Sequence, residues 1–291
     1  QALLNLGNVF NRIGKYQPAQ TSLKSALVIA QALDSKPTMA DILLSLGNNA
    51  KLQPPPKVAI DFYQRAIAIA PQPDIQLRGK LARLDVLLSL AETATATDLA
   101  TEIQQLLVQL PANQTTIQGQ ISLAHHLMEL DTEPRRVAAL LINAVGQSKT
   151  LKIARTEAEA LGVLGHLYER HQQWQEAAQI TEQALIKAQS VNARELTYQW
   201  QWQLGRILKA QGNTQSAIAS YTQATENLQS LRSDLVAISS DIQYSFRTKI
   251  EPVYRELAAL LLQSGASQGD LNQARQIIES LQLAELDNFF R

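Results

Sequence analysis

LGHLYERHQQWQEAAQITEQALIKA, residues 164–188, and LGRILKAQGNTQSAIASYTQATENL, residues 204–228, decide the fold of this chain. Each opens on Leu-Gly, reaches an alanine 12 positions after the glycine and another 7 beyond that: Gly165, Ala177, Ala184, then Gly205, Ala217, Ala224. The same figure appears as Gly7, Ala19, Ala26 and as Gly47, Ala59, Ala66. Gly47 follows Gly7 at the interval by which Gly205 follows Gly165, and the stretch from Gly47 to Gly165 is nearly three such intervals, which leaves room for two more units. A fixed period of this length marks a solenoid of stacked helix pairs. In the first unit Leu3, Leu6, Gly7 and Phe10 share a helical face, Gly14-Lys15 breaks the helix, and Ala19, Leu23 and Ala26 stripe a second one. Glycine and alanine let two backbones approach, with Leu6 and Leu23 filling the volume beside them, so leucine at Gly7 is expected to overpack the crossing.

Outside the four strong units the figure weakens. Gln53-Pro54-Pro55-Pro56 stops the first helix of the second unit, because proline lacks an amide donor and disfavours helix before it. Residues 75–110 form a degenerate unit without the glycine, with leucines 81, 84, 87 and 88 on its first helix and Asp98 expected as the cap of its second. In the fourth unit, about 116–147, Ala124 stands where the glycine would and Pro134 opens the second helix. After Ala224 the helix is expected to run on to a break and cap at Ser239-Ser240-Asp241. A lengthened pair follows, with Pro252 either kinking or starting its first helix, a turn at 265–269, and a second helix from Asp270. Its apolar residues Leu286, Phe289 and Phe290 leave an end expected to meet a further domain or pair two chains. The expected architecture is all-α, with a repeat array over 1–230 and a lengthened C-terminal pair over 231–291.

Composition narrows the function. The 291 residues hold 26 basic and 26 acidic side chains, so the net positive footprint of a phosphate binder is absent and no nucleic-acid or membrane partner is expected. With no cysteine there is no thiolate metal site and no cysteine nucleophile. No apolar run reaches the length of a membrane span, and no signal core opens the chain, which reads as a cytoplasmic piece of a longer protein. His125, His126, His166 and His171 offer no i, i+4 pair for a metal. No phosphate-cradling loop, dinucleotide fingerprint or nucleophile elbow occurs, so no catalytic residue, cofactor or metal is assigned.

The Leu-Gly…Ala…Ala string resembles the tetratricopeptide repeat, stretched here to about 40 residues. That resemblance implies a right-handed α-α superhelix of about seven antiparallel helix pairs, whose first helices line a concave groove for a peptide or partner protein. It also implies which positions face the groove. In the four strong units these are Asn5, Asn8, Asn11 and Arg12; Ser45, Asn48 and Lys51; His166, Glu169 and Arg170; Trp202, Gln203, Arg206 and Lys209. Leu4, Leu44, Leu52, Gly162, Val163 and Ala210 complete the set. Asn8 and Asn48 take the same place in adjacent repeats, where an amide offers one donor and one acceptor to an extended backbone. Arg12, Lys51, Arg170 and Arg206 are cations suited to carboxylates, and Trp202 is the expected interface anchor, with Trp200 on a different helix face.

Ser245-Phe246-Arg247, Glu251-Pro252-Val253-Tyr254-Arg255 and the run from Leu281 to Arg291 resemble the junction before a CHAT domain in cyanobacterial-type repeat proteins. CHAT domains are caspase-like, so the resemblance implies a regulatory or recognition arm fused to such a protease. The expected function is a non-enzymatic interaction scaffold. A helical-repeat binder of single-stranded nucleic acid is the alternative, to be told apart by a continuous basic stripe and steep salt dependence.

Overall fold

In a computed structural model of the chain, residues 1–235, 250–263 and 266–289 are described, with side chains described through 231 and 285 in the helices that end at 235 and 289. They form fourteen α-helices and no strand. Two compact units divide the chain between Leu151 and Lys152, a boundary that the repeat pattern does not mark.

The first unit holds α1 (Ala2–Arg12), α2 (Tyr16–Ala32), α3 (Lys36–Lys51), α4 (Val58–Ile69), α5 (Pro73–Ser89), α6 (Thr93–Gln109), α7 (Gln114–Glu129) and α8 (Pro134–Thr150). Consecutive helices pair antiparallel, and each first helix also packs on the first helix of the next pair. The repeated small residues are buried as the pattern requires: Ala19, Ala59 and Ala66 have no exposed surface. Each glycine accepts the residue 16 positions on, because a Cβ on Gly7 would lie 2.6 Å from Leu23 Cγ and one on Gly47 would enter the Tyr63 ring. Leu23 and Tyr63 thereby join one core with Ala26, Ile42, Leu43 and Leu46. Leu6, expected beside the crossing, is exposed instead; its counterpart Leu46, on a helix packed against α2 as well as α4, is buried.

The second unit holds α9 (Ala154–Arg170), α10 (Trp174–Ser190), α11 (Arg194–Ala210), α12 (Thr214–Leu235), α13 (Glu251–Leu261) and α14 (Gln268–Phe289). Gly165 receives Thr181 and Gly205 receives Tyr221, at the same offset as in the first unit. Trp200 is buried with its indole against the Cα of Gly162, so α9 and α11 touch through a residue with no side chain. Tyr221, Ala224 and Leu228 of α12 form a core with Val253, Tyr254 and Leu257 of α13 and Ile277, Leu281 and Ala284 of α14. Pro252 sits in the first turn of α13, and Ser267 and Asp270 cap α14 reciprocally, with Ser267 N–H donating to Asp270 Oδ2 at 2.8 Å and Asp270 N–H to Ser267 Oγ at 3.2 Å. The expected break at Ser239-Ser240-Asp241, Gly265 in the last turn, and the side chains of Leu286, Phe289 and Phe290 lie outside the described residues.

The turns repeat as faithfully as the crossings. Lys15 N–H donates to Phe10 O, Ser35 to Ala30, Glu92 to Leu87, Thr132 to Leu127, Gln173 to Tyr168 and Asn213 to Leu208, the bond that closes a helix around a left-handed residue. That residue is Gly14 or Gly212 in two of these turns, but Asp34, Ala91, Asp131 and Gln172 in the others. The turn at Ala91 also corrects the expected cap at Asp98: α6 starts at Thr93, directly after the turn, and Asp98 is an exposed residue within the helix.

Candidate functional site

The first helices of each unit carry a ladder of polar side chains. In the first unit it begins with Asn49 Nδ2, which donates to Asn11 Oδ1 at 2.6 Å and to Tyr16 O at 2.9 Å. Asn11 Nδ2 in turn donates to Ser45 O at 3.4 Å. The next rung is Lys51 of α3, paired with Asp85 of α5, and His126 of α7 brings Nε2 to 3.7 Å from Asp85 Oδ1. In the second unit Glu169 of α9 takes both Arg206 Nε, at 2.6 Å, and Arg206 Nη2, at 2.9 Å. His166 Nδ1 lies 3.1 Å from the same carboxylate. Asn11, Lys51 and Glu169 stand at the same place, one helical turn after the glycine place of their own helix, and each reaches a residue one or two after the glycine place of the next first helix.

This arithmetic identifies the degenerate unit's missing glycine. Asp85 answers Lys51 as Arg206 answers Glu169, so Leu84 occupies the glycine place; Gly79 lies elsewhere, against Ile67 and Leu44.

Several residues expected to face a partner are consumed by the ladder. Asn11 is buried between repeats, as are Ser45 at 8% exposure and Gln203 at 3%. Gln203 Nε2 donates to Gly162 O at 3.0 Å and to Thr181 Oγ1 at 2.8 Å, tying α11 to α9 and α10. The amides are buried because the small residues around them draw the helices too close for a polar group to reach water, so they bond across the crossing. Lys51 and Arg206 hold carboxylates of their own chain. Trp202 is half-buried: its indole N–H donates to Glu256 Oε2 at 2.9 Å, and the Arg206 guanidinium lies 4.5 Å from its ring centre. Tyr221 O–H donates to the same Glu256 oxygen at 2.7 Å. Of the two tryptophans, Trp200 is the core residue.

Asn5, Asn8, Arg12, Asn48 and Arg170 stay exposed. Asn48 Oδ1 accepts the Tyr63 hydroxyl at 2.8 Å, which fixes the amide and leaves its NH₂ for an outside acceptor. Arg12 and Arg170 pair with no group among the described residues. The sequence drew attention to neither Asp85 nor Glu256; Tyr221 belongs to the repeat pattern, at the offset from Gly205 that Tyr63 has from Gly47, but its bond to Glu256 was not legible there.

Burial and bonding set the charges. Burial opposes the charged form of Glu169, but the bonds from His166 and Arg206 together outweigh it and hold the carboxyl below the usual range. Burial, then the Glu256 carboxylate, pushes the Tyr221 hydroxyl far up, so it stays a donor. The Asp85 carboxyl is pushed down to about 2 by the His126 contact and by Lys51, with burial opposing. A depressed folded value means stability that is present above the unfolded carboxyl value and lost as pH falls through the folded one. Asp85→Asn is expected to lower the stability of the first unit near pH 7 by about 1 kcal/mol, the linkage value being discounted for a carboxylate open to solvent screening. Urea unfolding of the two proteins should converge as pH falls from 4 towards 2; a constant difference would mean that Asp85 acts through packing.

Cations elsewhere are interleaved with carboxylates, as Arg78 with Asp41, Lys80 with Glu102, Arg155 with Glu195 and Lys187 with Glu157. Among the described residues no three His, Asp or Glu side chains gather as metal ligands, and no helix is long and apolar enough to cross a membrane.

Residues 160–195 and 201–227 each match a family model of the tetratricopeptide repeat. These segments are tetratricopeptide repeats. The contacts of Gly165 and Gly205 described above are thus the packing of such repeats, and the ladder of the second unit joins their first helices. No curated protein matches the chain in sequence. Among solved structures, BtubC (BKLC) from P. vanneervenii is similar, at 16% identity and a TM-score of 0.67 over 75% of this chain and 92% of that one. A Rap protein complexed with competence and sporulation factor is similar at 14% identity and a TM-score of 0.59, over 93% and 82% of the two chains. The Rap conjugation gene regulator of the plasmid pLS20, in complex with the Phr* peptide, gives 13% and 0.54 over 97% and 75%. At these identities the likeness is one of fold, a solenoid of tetratricopeptide type.

Proposed function

We propose that this chain is a non-enzymatic interaction scaffold that holds an extended peptide or partner segment on the first helices of its repeats. The observation that carries this reading is the fixed, outward amide of Asn48, whose oxygen is taken by Tyr63, at the repeat position that Asn8 occupies, also exposed, one unit earlier. Two donors one repeat apart suit the carbonyls of an extended backbone, and such main-chain bonds give affinity without demanding one sequence. Arg12 adds an unpaired cation for a partner's carboxylates in the first unit; in the second unit Arg170 offers another and Trp202 an aromatic surface. One of the similar structures is a complex with competence and sporulation factor and another a complex with the Phr* peptide, which supports the same use of this fold. The likeness of the C-terminal stretch to the region before a CHAT domain supports a place as the recognition arm of a caspase-like protein.

The test changes donors without opening the fold. Asn8→Asp with Asn48→Asp keeps an acceptor for the Tyr63 hydroxyl but removes both outward donors. Calorimetry against peptides selected on the unaltered protein should show affinity weakened about tenfold or more, with the melting temperature unchanged. Equal affinity would sink the assignment of this face.

A further inference from the structure

The two ladders differ in their charge balance. In the first unit the Asp85 carboxylate has a full cation, Lys51, directly on it. In the second unit two carboxylates, Glu169 and Glu256, share one guanidinium. Arg206 is committed to Glu169 by two bonds, of 2.6 and 2.9 Å. Glu256 is held by neutral donors alone, the Trp202 indole N–H and the Tyr221 hydroxyl, and both bonds fall on Oε2. Its other oxygen, Oε1, accepts nothing among the described residues. Arg170 and Lys209, at the exposed ends of α9 and α11, pair with neither carboxylate.

A carboxylate with about four lone-pair sites and only two of them used is a ready acceptor. Two rigid aromatic donors on one oxygen fix its position before anything binds, so little ordering remains to be done on association. Arg206 acts on it only through space, so the group it lacks is a directly bonded cation, and a charge-assisted bond to a carboxylate is roughly twice as strong as a neutral one. The half-buried Trp202 ring beside the carboxylate suits the methylene stem of a long basic side chain.

We infer that Glu256 Oε1, framed by Trp202 and Tyr221, is the subsite for a lysine or arginine side chain of the partner peptide. This rests on the reading of the repeat faces as peptide-binding, and it adds the chemistry that the second unit selects.

The full chain, immobilised, is used to select from a random heptapeptide library, alongside the Glu256→Gln variant. Glutamine retains an oxygen for the Trp202 and Tyr221 bonds, and its melting temperature reports that the fold is kept. The unaltered protein should enrich peptides with Lys or Arg at one position, and Glu256→Gln should lose that preference while still selecting peptides. In a second measurement, which needs no variant protein, replacing the selected lysine by norleucine in a synthetic peptide should weaken binding to the unaltered chain about tenfold or more. Peptides enriched without a basic position, or a preference that survives in Glu256→Gln, overturn the subsite and leave the peptide-binding face standing. Recovery of no peptide at all overturns both.

Discussion

Gly162→Ala is expected to destabilise the second unit by about 3 kcal/mol, the upper range for overpacking a filled core, because the new methyl would fall inside a buried indole. The Trp200 ring lies where that Cβ would go, and its bulk is locked between α9 and α11. A flexible side chain would swing aside; an indole at 7% exposure has nowhere to move without parting the helices. For a unit of this size the loss reads as a fall of about 10 °C in melting temperature. Trp200→Leu should cost stability through lost burial, yet in that background Gly162→Ala should be nearly neutral, since the methyl then enters vacated space. Additive losses in the double variant would show that Gly162 is not the seat of Trp200.

Removing one member of the Glu169–Arg206 pair is the second large effect. The carboxylate is 11% and the guanidinium 27% exposed, so screening is weak and each would be left as an uncompensated, half-desolvated charge. Arg206→Met is expected to cost about 3 kcal/mol near pH 7, whereas Glu169→Gln with Arg206→Met should recover about 2 kcal/mol of that, because no orphaned charge remains. The sign with pH is distinctive. In the native protein the carboxyl of Glu169 is held low, so the pair contributes above the unfolded carboxyl value and is lost as pH falls through the folded one. In Arg206→Met the same carboxyl is buried without its cation, protonation relieves it, and the deficit relative to Glu169→Gln/Arg206→Met should shrink in acid. A deficit independent of pH would assign the loss to the Arg206 stem packed on Trp202 instead of to charge.

How far the sequence could be read follows from which contacts are periodic. Gly165, Ala177 and Gly205, Ala217 mark crossings that recur at one spacing, and every helix pair predicted from them is present. Tyr221, seated on Gly205, follows the repeat pattern, whereas Thr181, seated on Gly165 at the same position, has a different chemistry and was not announced by it. The turns are the clearest case: the left-handed residue is Ala91 in one and Gln172 in another, types that give no turn signal, because the 6→1 backbone bond is strong enough to impose the conformation. The reading of the face failed where helices approach most closely. Ser45 and Gln203 occupy positions expected to look outward, but small neighbours draw the next helix over them and bury them. Asn48 and Asn8 remained outside because each lies on the side of its helix away from that approach.

By itself, then, the sequence determined that the chain is all helical, that its helices pair at one fixed period, and which small residues set the crossings, since these depend on spacing along one chain. Only the tertiary structure decided which polar residues are spent between repeats and which are left for a partner. Lys51 meets Asp85, Arg206 meets Glu169, and Trp202 meets Glu256, each with a residue from a neighbouring first helix, dozens of positions away. A side chain's availability depends on what stands within about 3 Å of it, and no local pattern encodes that distance.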